Sequence, residues 1–159
     1  MKKRNGIVNA FSVLIGVAAG CVAYYTHTSY KRSEDKVNRL DSYYRTMQGW
    51  IKCKQKDFSL KDYFDNLGAN NIAIYGMGAL GELFYNEMKM ENIRVTAFVD
   101  KNAEALVEGL EGLPVVSLED IGEYNIDTMI VTPVFAFDEV AELVKDEEVK
   151  LISLDELYS

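Results

Sequence analysis

The stretch that decides the fold runs from Asn71 to Asp100 and reads NIAIYGMGALGELFYNEMKMENIRVTAFVD. A short apolar run, Ile72 to Tyr75, leads into the glycine-rich segment Gly76 to Gly81, and a helical pattern and a second apolar run follow. The second run ends in Asp100, about 20 residues beyond the glycines, where an acidic residue is typical. Strand, glycine turn, helix, strand and acid in this order are the fingerprint of a dinucleotide-binding unit.

Each glycine of that fingerprint, and the acid that follows it, has a separate physical task in this sequence. Gly76 allows the tight turn out of the strand, Gly78 lets the backbone approach a pyrophosphate, and Gly81 lets the helix pack on the strand. Free amide groups at the start of the helix attract phosphate. Asp100 is placed to bind ribose hydroxyls, and its charge favours NADH over NADPH. The alternative is a turn of this type that serves packing alone.

The remainder of the chain alternates strand and helix candidates. The strand candidates are Leu113 to Val116, Asp127 to Thr132 and Val149 to Leu154, and the longest helix candidate is Phe135 to Lys145. Such alternation gives a parallel sheet with right-handed crossovers. We predict an α/β fold with a small Rossmann-like parallel sheet of about five strands in the order 3-2-1-4-5. Thr132 ends a strand at the carboxyl edge of this sheet, where it could touch a ribose or sugar or merely end the strand.

Local signals set the limits and faces of two helices. Ser59 is a predicted N-cap, and Gly68 is predicted to end the helix that it begins. The helix Phe135 to Lys145 is amphipathic, and its predicted inward side chains are Val140, Leu143 and Val144.

An uncharged, apolar run, Ile7 to Tyr25, follows three basic residues near the N-terminus. It is long enough to span a bilayer as a helix. A cleaved signal peptide has a shorter apolar core, and a lipoprotein signal would place lipid on Cys21, beyond which this run continues. We therefore expect an uncleaved single-span anchor. Basic residues after the run, and the need of the C-terminal domain for nucleotides, predict the inner (cytoplasmic) membrane with that domain in the cytoplasm.

The chain thus divides into an anchor (1–30), a juxtamembrane helical segment (31–69) and a Rossmann-like nucleotide-binding domain (70–159). Apolar residues recur with heptad spacing in the helical segment, at Val37, Leu40, Tyr44, Met47 and Ile51. The favoured interpretation is a helix lying on the globular domain, with Trp50 and Tyr43 in the contact. The alternative is a homodimer seam that continues from the Gly16-to-Gly20 GxxxG pattern.

Composition narrows the possible functions. With 159 residues and a net charge of −8, the chain is not expected to bind nucleic acid. Cys21, Cys53 and the single histidine, His27, form no zinc or disulfide pattern, so we expect no metal. Tyr85 and Lys89 have the spacing of a Tyr-x-x-x-Lys catalytic pair, but they lie on the first helix after the glycine turn, and we interpret the spacing as coincidence.

The segment Asn71 to Tyr158 resembles a family of small Rossmann-like domains in bacterial cell-surface sugar pathways. The matching motifs are IAIYGMGALG, VTAFVD, GLEGLPVVSLEDI, DTMIVTP and VKLISLDEL. The resemblance is greatest to the N-terminal nucleotide-sugar-binding domain of sugar acyltransferases, and the GLPV…SLED part separates the chain from ordinary dehydrogenases. Those acyltransferases carry their catalytic residues in a following β-helix, so the resemblance implies a binding role and no catalytic residue in this segment.

We therefore predict a nucleotide-binding accessory protein, with NAD(H) or a UDP-sugar as ligand, beside polysaccharide-assembly enzymes. An oxidoreductase or epimerase-like subunit completed by a partner chain, and a ligand-free interaction domain, are the alternatives. Catalytic residues are not predicted. The predicted ligand-binding residues are Gly76, Met77, Gly78, Ala79, Leu80, Gly81, Asp100 and Thr132.

Overall fold

A computed structural model describes the backbone of residues 2–106 and 108–159, and the side chains of residues 16–106 and 108–159. The chain forms two compact units, of which the second is Ser42–Ser159. The first, which ends at Asp41, contains the N-terminal part of a long helix, α1 (Lys2–Lys54). The C-terminal part of α1 belongs to the second unit.

The predicted membrane anchor was wrong. Within the part of the chain that the structure describes, no helix is long and apolar enough to cross a bilayer. The side chains of residues 7–15 lie outside the described set, and what is described of the predicted span is the ten residues from Gly16 to Tyr25, after which α1 continues through polar and charged residues. A span needs about 20 predominantly apolar residues. The inner-membrane localisation and the cytoplasmic orientation, which rested on this span, were wrong with it.

The second unit is built on one parallel sheet of five strands. These are β1 (Ile72–Tyr75), β2 (Val95–Val99), β3 (Val115–Val116), β4 (Thr128–Val131) and β5 (Lys150–Ser153). Their order is β3-β2-β1-β4-β5, with every neighbouring pair parallel, so the predicted order is confirmed. The order reverses direction at β1, and the carboxyl ends of β1 and β4 meet there.

Four further α-helices connect or flank the strands: α2 (Leu60–Leu67), α3 (Ala79–Met90), α4 (Phe137–Leu143) and α5 (Leu154–Leu157). Short 3₁₀ helices cover Ala103–Ala105, Leu118–Tyr124 and Val134–Ala136. The predicted cap of α2 is confirmed, because the Ser59 side chain accepts a hydrogen bond from the Asp62 amide and Gly68 ends the helix with φ 72°. In α4 the predicted inward position of Leu143 was wrong, since this side chain is exposed.

Both faces of the sheet are buried, as expected for parallel strands covered on each side. One face packs against α2, α3 and α5 around Phe84, Met88, Phe98 and Leu154, all without solvent exposure. The other face packs against α4 and the 3₁₀ helix at Leu118–Tyr124. The sheet is therefore the middle layer of three.

The C-terminal part of α1 packs on the outer side of the helices that cover the first face. Trp50 stacks on Tyr158 with ring centroids 5.1 Å apart, and Tyr43 meets Phe135 edge to face at 5.8 Å. A Cβ added at Gly49 would lie 2.5 Å from the Tyr158 carbonyl oxygen, so the helix approaches this closely only because position 49 is glycine. The predicted contact through Trp50 and Tyr43 is confirmed.

Candidate functional site

The glycine turn begins where β1 ends. Gly76 has φ +92°, a conformation that L-residues with a side chain rarely adopt. Its amide donates to the Val99 carbonyl at 2.8 Å, and an added Cβ would lie 2.8 Å from Pro133 Cδ. Glycine at this position is thus required by the chain itself, since the turn must fit between the ends of β2 and β4.

Gly81 is also fixed by internal packing. A Cβ at this position would lie 2.0 Å from the Gly76 carbonyl oxygen, far inside any allowed contact. The first turn of α3 therefore rests directly on the turn that follows β1. This close packing sets where the N-terminus of α3 points.

Gly78 differs from the other two glycines. Its φ of −112° and ψ of −172° describe extended backbone that any residue adopts. Among the described residues, none has an atom within 4 Å of a Cβ built on Gly78. Neither backbone conformation nor packing within the chain requires glycine at this position, whereas the close approach of a diphosphate would.

The N-terminus of α3 is open to an anion. Gly78 is the N-cap and supplies no side-chain hydrogen bond to the first amides of the helix. Those amides have no partner inside a helix, and the helix dipole adds positive potential at the same end. Ala79 is exposed next to them, while Met77 and Leu80 are partly buried and pack against the core.

Asp100 follows β2 and holds the glycine turn. One carboxylate oxygen accepts a hydrogen bond from the Met77 amide at 3.0 Å, and the other accepts from the Asn102 amide at 2.9 Å. Each carboxylate oxygen can accept a further hydrogen bond. The side chain can therefore position the turn and bind ribose hydroxyls at once.

Thr132, which directly follows β4, forms hydrogen bonds with the same turn. It is only 3% exposed, and its hydroxyl lies 3.0 Å from the Tyr75 carbonyl oxygen and 3.2 Å from that of Gly76. Because the hydroxyl donates its single proton to this backbone, it joins the carboxyl ends of β1 and β4. The structure thus places Thr132 beneath the turn as a positioning residue.

Tyr85 and Lys89 both make structural contacts within the folded domain. The Tyr85 ring is buried and meets Phe98 edge to face at 5.5 Å. Lys89 forms an ion pair with Glu111, whose carboxylate also lies 3.5 Å from the Tyr85 hydroxyl. The hydrogen bond to Glu111 and the negative charge of that carboxylate raise the pKa of Lys89, so this amine stays protonated.

Tyr75 was not foreseen as a site residue. It ends β1 directly before the turn, and burial, followed by the negative charges of Asp100 and Glu139, raises its pKa. Its hydroxyl therefore keeps its proton at neutral pH. A tyrosine closing an otherwise aliphatic strand was the one sequence signal for this position.

Among the residues described, no group of acidic, histidine or cysteine side chains is arranged to hold a metal ion.

Residues 68–152, which contain the sheet and the turn, match the family model described as C2185-like, N-terminal. This is more than half of the chain. The chain belongs to the C2185-like family. Among curated proteins, no relative matches it.

A solved structure, UDP-D-quinovosamine 4-dehydrogenase from Vibrio fischeri, is similar in backbone to part of this chain. The identity is 16%, the TM-score is 0.47, and the match covers 54% of this chain and 77% of that one. A likeness of this size gives no information about activity.

Proposed function

We propose that the protein binds a nucleotide through its diphosphate at the turn from Gly76 to Gly81, with NAD(H) or a UDP-sugar as ligand. The observation that carries this proposal is Gly78, which is glycine without any conformational or packing need. Gly76 and Gly81 on either side are explained by the fold, whereas at Gly78 the chain itself has only the mild preference for glycine at an N-cap, so the close approach of a ligand is the stronger reason for the third glycine.

The surrounding chemistry supports the same ligand class. The uncapped N-terminus of α3 offers backbone amides and a positive dipole to phosphate. Asp100 is half-buried at the end of β2 with acceptor capacity left for ribose hydroxyls. Both groups lie at the carboxyl edge, where the strand order reverses, and this is the usual ligand position in such sheets.

We further propose that this nucleotide-binding domain is an accessory component of cell-envelope polysaccharide assembly. Support comes from the resemblance of residues 71–158 to nucleotide-sugar-binding domains of that pathway. A binding role without chemistry agrees with the structural use of Tyr85 and Lys89, which are held by Glu111.

Thermal unfolding of the full chain with NADH, NADPH, UDP-glucose and CoA tests the proposal. A ligand at about 100 times its dissociation constant adds roughly 2.7 kcal/mol to the free energy of unfolding and raises the melting temperature by several degrees. We expect such a shift with NADH or UDP-glucose, and its loss in Gly78→Val. If no nucleotide shifts the transition, the proposal fails and the ligand-free interaction domain replaces it.

A further inference from the structure

An apolar groove of about 550 Å³ lies between the C-terminal part of α1 and α3, within the unit Ser42–Ser159. Four large apolar side chains in its walls are 45–82% exposed: Met47 and Ile51 from α1, and Leu83 and Met90 from α3. Exposed apolar side chains are ordinary when scattered, but a contiguous set marks a contact surface or a ligand-binding groove. The groove is therefore a second candidate site of this domain.

The exposed apolar area of the groove is too small to hold a second copy of the chain. Complete burial of one large apolar side chain removes roughly 60–120 Å² from water, which follows from its transfer free energy and the usual area coefficient. Because the four side chains are already partly covered, together they can give up roughly 150–300 Å² per copy. Two copies would bury well under the roughly 1,000 Å² of a specific interface. The groove volume of about 550 Å³, by contrast, lies in the usual range for small-molecule sites.

The polar groups of the groove are few and lie toward one end. Each follows most of the apolar wall in chain order: Lys54 and Gln55 on α1, and Asn86 and Glu87 on α3. Lys54 forms an ion pair with Glu87, so the polar ends of the two helices lie side by side. A ligand that fits this lining has a polar head at one end and an apolar body along the rest.

Glu87 supplies an available acceptor at the polar end. Its side chain is 7% exposed, and its Oε2 accepts a hydrogen bond from the Tyr158 hydroxyl at 3.2 Å. The buried Oε1 faces the Lys54 ammonium group as an ion pair but accepts no hydrogen bond from the described residues. Leaving a buried acceptor without a hydrogen bond is costly. A hydroxyl group entering the groove can donate this missing bond.

The charges at the same end favour an uncharged head. Lys54 also forms an ion pair with Glu91 at 2.9 Å, so one ammonium group faces two carboxylates. An anionic head would be repelled by the two carboxylates, and a cationic head next to Glu87 Oε1 would be repelled by Lys54. A neutral hydroxyl group meets neither repulsion.

We propose that the groove binds an uncharged amphiphile with a single hydrocarbon chain and a hydroxylated head. The chain lies against Met47, Ile51 and Leu83, and the flexible methionine side chains adapt to its shape. The head hydroxyl donates to Glu87 Oε1 and accepts from the neighbouring side-chain amides. Because this ligand needs no phosphate, its binding is independent of nucleotide binding at the glycine turn.

Fluorescence of Trp50 reports on the groove, because Trp50 lines it and is the only tryptophan of the chain. Bromine quenches tryptophan on contact, so 11-bromoundecan-1-ol should quench the full chain saturably. The carboxylic acid and the trimethylammonium compound with the same brominated chain should bind at least about fivefold more weakly. Leu83→Glu, which places a charge in the wall, should weaken binding of the alcohol at least about tenfold. Leu143→Glu is the matched control, because Leu143 is exposed on α4 outside the groove lining, and it should bind like the wild type.

A further variant tests the part played by charge. Glu87→Gln should narrow the difference in affinity between the alcohol and the acid at least about threefold, because one of the two carboxylates loses its charge. Absent or unsaturable quenching in the wild type, or a folded Leu83→Glu variant that binds as tightly, would overturn the site. Equally tight binding of either charged compound would overturn the uncharged head. If the wild type sediments at twice the 18.0 kDa chain mass and Leu83→Glu at the single mass, a second copy occupies the groove and the proposal fails.

Discussion

Two glycines of one motif should respond in opposite ways to the same added methyl group. In Gly81→Ala the new Cβ lies 2.0 Å from the Gly76 carbonyl oxygen, so α3 must move away from the end of β1. In Gly78→Ala the new Cβ meets no described atom within 4 Å, and the extended backbone accepts it. The first variant should therefore damage the fold, and the second should damage only ligand binding.

The expected change in the free energy of unfolding follows, for each variant, from the contacts that the added Cβ would make. Forcing a group into a packed site costs about 1–3 kcal/mol, and the contact to rigid backbone places Gly81→Ala at the upper end. At about 4 °C per kcal/mol, its melting temperature should fall by about 10 °C. Gly78→Ala should change the free energy of unfolding by less than about 1 kcal/mol, because the loss at an N-cap and the gain from a stiffer unfolded chain oppose each other.

Differential scanning calorimetry, with and without NADH or UDP-glucose, separates the two effects. We expect Gly78→Ala to melt like the wild type without nucleotide and to lose the nucleotide-dependent rise. If Gly81→Ala melts like the wild type, the close packing of α3 on the turn is refuted. If Gly78→Ala keeps its nucleotide response, the diphosphate does not approach Gly78.

Three further changes test the electrostatics of the domain by chemical denaturation and by binding. Lys54 forms an ion pair with Glu87, whose side chain is 7% exposed, so Lys54→Met should lower the free energy of unfolding by about 2 kcal/mol. Adding Glu87→Gln should recover part of this loss. If the effects of the two substitutions simply add, the two side chains are not paired. Burial alone would raise the pKa of Asp127, but hydrogen bonds from the Thr128 hydroxyl and from neighbouring amides lower it. Because these bonds are lost in Asp127→Ala, the free energy of unfolding at neutral pH should fall by about 2 kcal/mol. The wild-type advantage should persist above the unfolded pKa near 3.9 and vanish as the pH falls through the lower folded pKa; an advantage that grows on acidification would refute this. Asp100→Asn should narrow the preference for NADH over NADPH in calorimetric titration, and an unchanged ratio would show that Asp100 does not face the ribose.

The sheet was predictable because its signals are local. Each strand is a short apolar run, the glycine spacing from Gly76 to Gly81 indicates the turn, and Ser59 and Gly68 mark the ends of α2. Parallel strands joined by helices then leave few arrangements, and the order followed from the usual handedness of the crossovers.

The precise roles at the turn were not predictable, because they depend on residues distant in sequence. Whether the Thr132 hydroxyl faces a ligand or the backbone is decided by the Tyr75 carbonyl, 57 residues away. The bond of Asp100 to the Met77 amide likewise appears only when β2 lies beside β1. Sequence spacing placed both residues at the edge of the sheet but could not orient them.

The N-terminal helix shows the limit of apolar patterning. The run from Ile7 to Tyr25 was interpreted by length and composition alone, whereas α1 continues without interruption to Lys54. A heptad series also cannot state which side of a helix its own domain covers. That choice is made by Trp50 on Tyr158 and by the absence of a Cβ at Gly49.

Amide-resolved NMR of the ¹⁵N-labelled full chain tests nucleotide binding at the turn most directly. On titration with NADH or UDP-glucose, the amide signals of Gly78, Ala79 and Leu80 should shift most, because these groups would donate to the diphosphate. Addition of the same nucleotide to Gly78→Val should leave them unchanged. Unshifted signals at these three amides in the wild type, or shifts confined to another part of the chain, would contradict a nucleotide site at the start of α3.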